Sequence, residues 1–362
     1  MSTFNLDNIL SQFLIEGKVE SVKPLGNGLI NDTFRVVTEG DAPDYVLQRI
    51  NNNIFTDVDL LQHNIEAVTG HIRRKLEAAG ADDIDRKVLR FVPTQQGKTY
   101  YLDNDGRYWR VSVFIPDAVT YEQVDPTSSR NAGKAFGEFE SMLVDLPEQL
   151  GETIPDFHNM ELRARQLQEA IEQDKAGRVA GVADIIADLQ KDMHEMCKAE
   201  RLFREGKLPK RICHCDTKVN NMMYDKQGNV LCVIDLDTVM PSFVFSDYGD
   251  FLRTGANFVA EDDPKIENVG FNQDIFRAFT EGYIESARSF LTPVEVENLP
   301  YAVALFPFMQ CVRFFADYLN GDTYYKIAYP EHNLVRTRNQ QALYHRVTDN
   351  YDMMDNFIRT LI

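Results

Sequence analysis

Residues 212–225 read ICHCDTKVNNMMYD, and the reading of this stretch decides the reading of the chain. It gathers two cysteines, a histidine, two aspartates and two adjacent asparagines between apolar flanks. Two chemistries fit such a polar load: a Cys-His-Cys metal cluster, or a catalytic loop with an aspartate five residues ahead of an asparagine. A structural zinc site needs four ligands, usually as two short-spaced pairs. Cys213 and Cys215 are separated by one residue, and no second Cys or His pair follows at such spacing. Cys232 stands alone in NVLCVID, which alternates like a buried strand. The plainer reading makes these cysteines small apolar core groups. With Cys197 and Cys311 the count is five, an odd number that suits reduced thiols rather than a disulfide framework.

The catalytic-loop reading finds more of its parts. The protein-kinase loop is H-R-D-x-x-x-x-N; here His214-Cys215-Asp216 is followed by Thr217, Lys218, Val219, Asn220 and Asn221. The spacing has a chemical reason. Asp216 must face the hydroxyl that attacks phosphorus, while Asn221 turns toward a magnesium ion held by the same phosphates. A second metal ligand is due from the next strand. Gly228-Asn229 marks a turn, Val230 to Ile234 reads as a strand, and Asp235 ends it where kinases carry the Asp of D-F-G. Asp237 reads equally as a further ligand or a turn residue. Lys218 stands where many kinases place a lysine near the γ-phosphate, with an exposed surface lysine as the alternative. His214 is expected to hold the loop backbone, because Asp216 already serves as proton acceptor. Each part alone is common; their order, spacing and intervening strand are jointly not.

HCDTKVNN, VIDLDT and SDYGDFLR resemble the aminoglycoside phosphotransferase-like family of small-molecule kinases. NGLINDTF, LQRIN, FGEF, VIDLDTVMP, RFFADYLNGDTYY and YPEHNLVRTR extend the likeness to the N-acetylhexosamine 1-kinases of that superfamily, from about Val22 to Arg338. The resemblance implies an α+β, bilobal protein-kinase-like fold: a small β-rich nucleotide lobe over 1–116 and a larger, mainly helical catalytic and acceptor lobe over 117–362. It implies ATP and Mg2+, and transfer of the γ-phosphate to the anomeric C1 hydroxyl of N-acetylglucosamine or N-acetylgalactosamine. The alternatives are another small hydroxylated acceptor (an aminoglycoside, choline, homoserine or a different sugar) or a pseudokinase that binds without turnover.

In the first lobe, Gly26, Asn27 and Gly28 lie between two β-rich stretches, as in a hairpin folded over phosphates or a plain β-hairpin. The resemblance places Asn31 and Thr33 at its mouth. The strand DYVLQRIN puts Gln48 where kinases carry a phosphate-binding lysine, with Arg49 beside it. Side chains alternate along a strand, so the two cannot face the same way, and which of them replaces the lysine stays open. The helix expected from Asp57 to Ala78 carries Glu66, either the lysine's partner or a solvated residue. WRVSVFI is a buried-strand pattern ending at Pro116. Phe114, Ile115 and Asp117 are the expected hinge, holding adenine through backbone groups.

Beyond Thr127, helical spacing covers segments near 127–144, 160–174, 179–205, 273–289, 295–319 and 332–361. The resemblance gives Asp247 the task of bracing the catalytic loop, with a helix N-cap as alternative. Arg313 and Asp317 stand one helical turn apart, which on spacing alone makes an intrahelical ion pair. The resemblance instead draws Arg313 into the acceptor pocket, with Tyr324 and His332, and more weakly Asn333 and Arg336; Asp216 would touch the acceptor hydroxyl.

The net charge of −18, with lysines and arginines spread, opposes nucleic-acid binding, which depends on Lys and Arg neutralising phosphates. The N-terminal MSTFNLDNILSQF lacks the basic start and apolar core of a signal peptide. The apolar run near 301–319 is interrupted by Pro307, Arg313 and Asp317. The expectation is therefore a monomeric cytoplasmic enzyme with ATP and a small sugar as partners, and neither nucleic acid nor membrane.

Overall fold

β-Branched and aromatic residues in short alternating runs produce an antiparallel sheet near the N-terminus. A computed structural model describes residues 4–26, 31–121 and 123–362. The strands are β1 (Val19–Pro24), β2 (Asp32–Thr38), β3 (Tyr45–Ile50), β4 (Tyr101–Leu102) and β5 (Tyr108–Val113), in the spatial order β1-β2-β3-β5-β4. One face carries Val36, Leu47, Trp109 and Val111 and packs on Ile9, Leu10 and Phe13. Cross-strand pairing puts Thr33 opposite Gln48 and Gln48 opposite Arg110, a polar row on the other face.

The fold is mixed α+β, with this small antiparallel sheet at the N-terminus and helices dominating the C-terminal region. Two compact units divide the chain. The first comprises Met1–Val119, Asp145–Pro155 and Met223–Val239; the second comprises Thr120–Val144, Asp156–Met222 and Met240–Ile362. Two segments beyond residue 116 thus pack with the sheet. One of them carries β8 (Val230–Val233), which pairs with β7 (Met222–Tyr224). Tyr224 anchors it by exchanging backbone bonds of 2.9 and 2.8 Å with Val119. The Val58–Ala78 helix starts at Asp57, whose side chain accepts from Leu60 N–H, and it buries Leu61, Ile65, Val68 and Ile72 at helical spacing.

In the second unit the helical spans read from spacing overlap most of the observed α-helices, with breaks where local chemistry demands them, but none of them covers the buried helix Phe245–Gly255. The 179–205 span opens with a 3-10 turn at Val179–Val182 and divides at Cys197. The 295–319 span divides at Asn298, because Pro300 stands in the first turn of Leu299–Leu319, where its missing N–H costs nothing. Leu299–Leu319 is long and apolar enough to cross a membrane, yet 89% of its most apolar window is buried inside the protein, as in a core helix. The helices Pro126–Leu143 and Gln273–Ala287 approach backbone to backbone: a Cβ added at Gly133 would lie 2.1 Å from the Phe279 carbonyl oxygen.

Candidate active site

The second unit carries the catalytic loop. It leaves β6 (Arg211–Cys213) and passes through Cys215 in the left-handed region, at φ 63°. A non-glycine residue holds such a backbone only where its surroundings impose it. Asp247, in the first turn of the buried helix Phe245–Gly255, imposes it: its two carboxylate oxygens accept the N–H groups of His214 and Cys215, each at 2.7 Å. Thr217 Oγ1 donates back to the Asp247 carbonyl at 2.8 Å. His214 is fully buried, and its Nδ1 accepts the Asp216 N–H at 3.2 Å, which holds the loop backbone. Asn221 Nδ2 donates to the Asp216 carbonyl at 2.7 Å. Lys218 Nζ lies 3.1 Å from Asp216 Oδ2.

Behind Asp247, Tyr283 Oη donates to Glu140 Oε2 at 2.5 Å. Burial and then the negative charge of Asp247 push the Glu140 carboxyl well above the usual range. Folded Glu140 therefore holds its proton to a higher pH than in the unfolded chain. That contribution to stability is complete below the ordinary glutamate value of 4.5 and is lost as pH rises above it. Glu140→Gln, a neutral isostere, is expected to flatten this decline. Urea midpoints at pH 5, 7 and 9 check it, and parallel curves for the two proteins would dismiss the protonated glutamate. Burial also pushes the Cys213 and Cys215 thiols up, and Cys232 to about 12, so all three are neutral core thiols as the chain stands.

The first unit carries the other group of expected residues. Gly26 has φ +68° with open space around it, a turn conformation that suits glycine; Gly28 lies outside the described residues. Gln48 and Arg49 face opposite sides. Arg49 pairs with Asp32 at 2.5 Å, whereas Gln48 donates to Thr33 Oγ1 and accepts from Arg110 Nε at 3.0 Å. Arg110 was missed by sequence reasoning, and its signal was present: an arginine inside the buried-strand pattern WRVSVFI, a residue type almost never fully buried unless paired. It also reaches Gln62 Oε1, on the helix that carries Glu66, which was read as either the lysine's partner or a solvated residue and is exposed. Glu66 accepts from Thr99 Oγ1. Asp235 follows β8 in the left-handed region at φ 59°. Asp237 is buried and its Oδ2 accepts from Asn31 Nδ2 at 2.7 Å, so it is not a solvated turn residue.

The expected hinge is partly engaged. Phe114 N–H donates to the Asp44 carbonyl at 2.8 Å, and the carbonyls of Pro116 and Asp117 accept from Arg86. The Asp117 side chain pairs with Lys226.

Within the second unit, Arg313 and Asp317 do not form the ion pair that their spacing allows. Asp317 accepts the N–H groups of Thr323, Tyr324 and Tyr325 at 2.8–3.0 Å, because a turn offering three donors satisfies a buried carboxylate better than one half-buried guanidinium. Arg313 donates to Gln310 and lies over the rings of Phe157 and Tyr325. Tyr324 is exposed. His332 uses both ring nitrogens structurally, Nδ1 accepting from Ala328 N–H and Nε2 meeting Asp262. Asn333 and Arg336 likewise bind their own neighbourhood: Asn333 donates to Asp317 and Asp322, and Arg336 to the Lys326 carbonyl. A residue that spacing did not single out, Arg163, stands near Arg313. Burial and then that neighbour push its guanidinium down to about 10, which leaves it charged at neutral pH. His158 is held well below its usual value by burial and then by Arg313, Arg163, Arg253 and Lys210.

The order of histidine, aspartate and asparagine on this loop is that of the protein-kinase catalytic loop. A family model described as the phosphotransferase enzyme family matches residues 21–283. The chain belongs to the phosphotransferase enzyme family. Its fold is shared by solved structures at low identity. An aminoglycoside phosphotransferase from Alicyclobacillus acidocaldarius is similar at 12% identity over 98% of each chain, with a TM-score of 0.64. A spectinomycin phosphotransferase solved with ADP and spectinomycin is similar at 13% identity over 98% of this chain and 99% of that one, with a TM-score of 0.54. An ethanolamine kinase from Plasmodium vivax is similar at 14% identity over 90% and 84%, with a TM-score of 0.53. These likenesses concern the fold.

Proposed function

We propose that this phosphotransferase is a small-molecule kinase that transfers the γ-phosphate of ATP to the anomeric C1 hydroxyl of N-acetylglucosamine or N-acetylgalactosamine. The observation that supports a neutral acceptor, over a cationic aminoglycoside or choline, is the pair of neighbouring guanidiniums Arg163 and Arg313 in the second unit. Each disfavours a further positive charge beside it, as the lowered value of the Arg163 guanidinium reflects. Arg163 Nε is also buried without a hydrogen-bond partner among the described residues, a donor that a sugar hydroxyl or acetamido carbonyl would satisfy. The resemblance of residues 311–338 to N-acetylhexosamine 1-kinases supplies the named sugars. Arg313 and Tyr324 remain proposed acceptor contacts; His332, with both nitrogens engaged, does not.

In this reading Asp216 accepts the C1 hydroxyl proton as that oxygen bonds to the γ-phosphorus and the bond to the β,γ-bridging oxygen breaks, leaving ADP. Lys218, beside Asp216, neutralises charge on the transferred group. Gly26, Asn31, Thr33 and Gln48 would line the nucleotide site, with the Phe114–Asp117 backbone holding adenine. The donor set fits a hard divalent cation. Asn221, with its amide nitrogen committed to the Asp216 carbonyl, offers Oδ1, and Asp235 offers a carboxylate. When bound, Mg2+ would neutralise charge on the phosphate oxygens.

Phosphorus NMR with ATP, Mg2+ and N-acetylglucosamine, N-acetylgalactosamine, glucose, galactose, kanamycin or choline tests the reading. The expected result is a sugar 1-phosphate signal from the N-acetyl sugars alone. Product from kanamycin or choline alone would overturn the neutral acceptor. Nucleotide binding without any product would favour the pseudokinase.

A further inference from the structure

The polar face of the sheet has a cation, but not on β3. Directly across from Gln48 stands Arg110 on β5. Its side chain is 3% exposed and that of its partner Asp237 is 4% exposed, with Arg110 Nη1 2.5 Å from Asp237 Oδ1. Gln48 Oε1 takes Arg110 Nε at 3.0 Å and Gln62 Oε1 takes Nη1 at 3.3 Å, so β3 and the Val58–Ala78 helix fix the guanidinium plane. Around Asp237 the network continues. Its Oδ2 accepts from Asn31 Nδ2 at 2.7 Å, Asn31 Oδ1 accepts the Asn51 N–H at 2.9 Å, and the Asp237 carbonyl accepts from Thr153 Oγ1 at 2.9 Å. Asp237 lies two residues beyond Asp235, whose left-handed backbone must be held by its surroundings.

We infer that Arg110 takes the place of the strand lysine as a positioning residue: through Asp237 it fixes the turn that presents Asp235 to the metal. The inference rests on the proposed reading of Asp235 as metal ligand. It also gives Asp237 a role. Its charge is neutralised by Arg110 and its second oxygen is held by Asn31, so it buttresses the ligand rather than joining it. A lysine could not do this, since only the guanidinium fork reaches Gln48, Gln62 and Asp237 together.

Calorimetric titration of ADP, with Mg2+ and with EDTA, into the wild type, Arg110→Gln, Asp237→Asn and the double variant tests the inference. Each single variant leaves a charge buried and partnerless and can fail to fold; the double variant leaves two neutral amides and keeps the test open. The gain in ADP affinity on adding Mg2+ is expected to shrink by about tenfold or more in the variants, as for residues that orient a metal ligand. Affinity in EDTA is expected to stay within about twofold, and the losses of the two single variants to be less than additive. An equal loss in EDTA would overturn the inference by making Arg110 a direct phosphate contact. An undiminished Mg2+ gain in the double variant would make the pair structural only. A wild type that gains nothing from Mg2+ would instead remove Asp235 as ligand, and with it the reading on which the inference stands.

Discussion

Asp216→Asn is expected to lower kcat by about 10²- to 10⁴-fold, the range that a positioned proton acceptor contributes. The substitution keeps shape. Asp216 holds the loop through its backbone, the N–H donating to His214 Nδ1 and the carbonyl accepting from Asn221, and neither bond depends on the carboxylate. What disappears is one negative charge and a proton-accepting oxygen, 3.1 Å from Lys218 Nζ. ADP affinity and the unfolding transition should therefore match those of the wild type. Steady-state kinetics at saturating acceptor and nucleotide check the expectation. A loss below about tenfold would reduce Asp216 to an orienting group, because a loose, metaphosphate-like transition state asks little of a base.

Gly282→Ala is expected to destabilise the second unit by about 3 kcal/mol or more, at the upper end of what overpacking costs. The added Cβ would lie 2.0 Å from the Arg130 carbonyl oxygen and 2.8 Å from the Lys134 nitrogen, and both are helix backbone that no side-chain rotation can move aside. Alanine's better helix propensity returns only about 0.5–1 kcal/mol, too little to offset this. Gly181→Ala is the control: a Cβ there meets nothing within 4 Å, and a change within about 0.5 kcal/mol is expected. Urea denaturation followed by circular dichroism measures both. Equal midpoints for Gly282→Ala and the wild type would mean that the two helices do not touch at this crossing.

What the sequence made legible was local. The order His214, Asp216, Asn221, strand, Asp235 could be read because each part lies within a few residues of the next, and helices could be placed because apolar spacing is a property of single segments. What escaped depended on partners far along the chain. Arg110 meets Gln48 only because β3 pairs with β5, and it meets Asp237 only because residues 223–239 return to the sheet. The Arg313–Asp317 spacing suggested an ion pair, but no periodicity announces three turn N–H groups at 323–325 as stronger competitors. Arg163 looked like any charged position on an amphipathic helix until its neighbour Arg313 was placed.

The three-part composition of the first unit bears on how the protein is made. A ribosome that has finished residue 119 has produced the whole five-stranded sheet but not the segment that completes its unit, which ends at Val239. At bacterial-to-eukaryotic elongation rates the missing stretch follows roughly 6–24 s later. Throughout that interval Arg110 lacks the carboxylate of Asp237, and a guanidinium does not readily enter an apolar interior without one. The nascent sheet must wait, open to chaperones, until the second visit of the chain closes it.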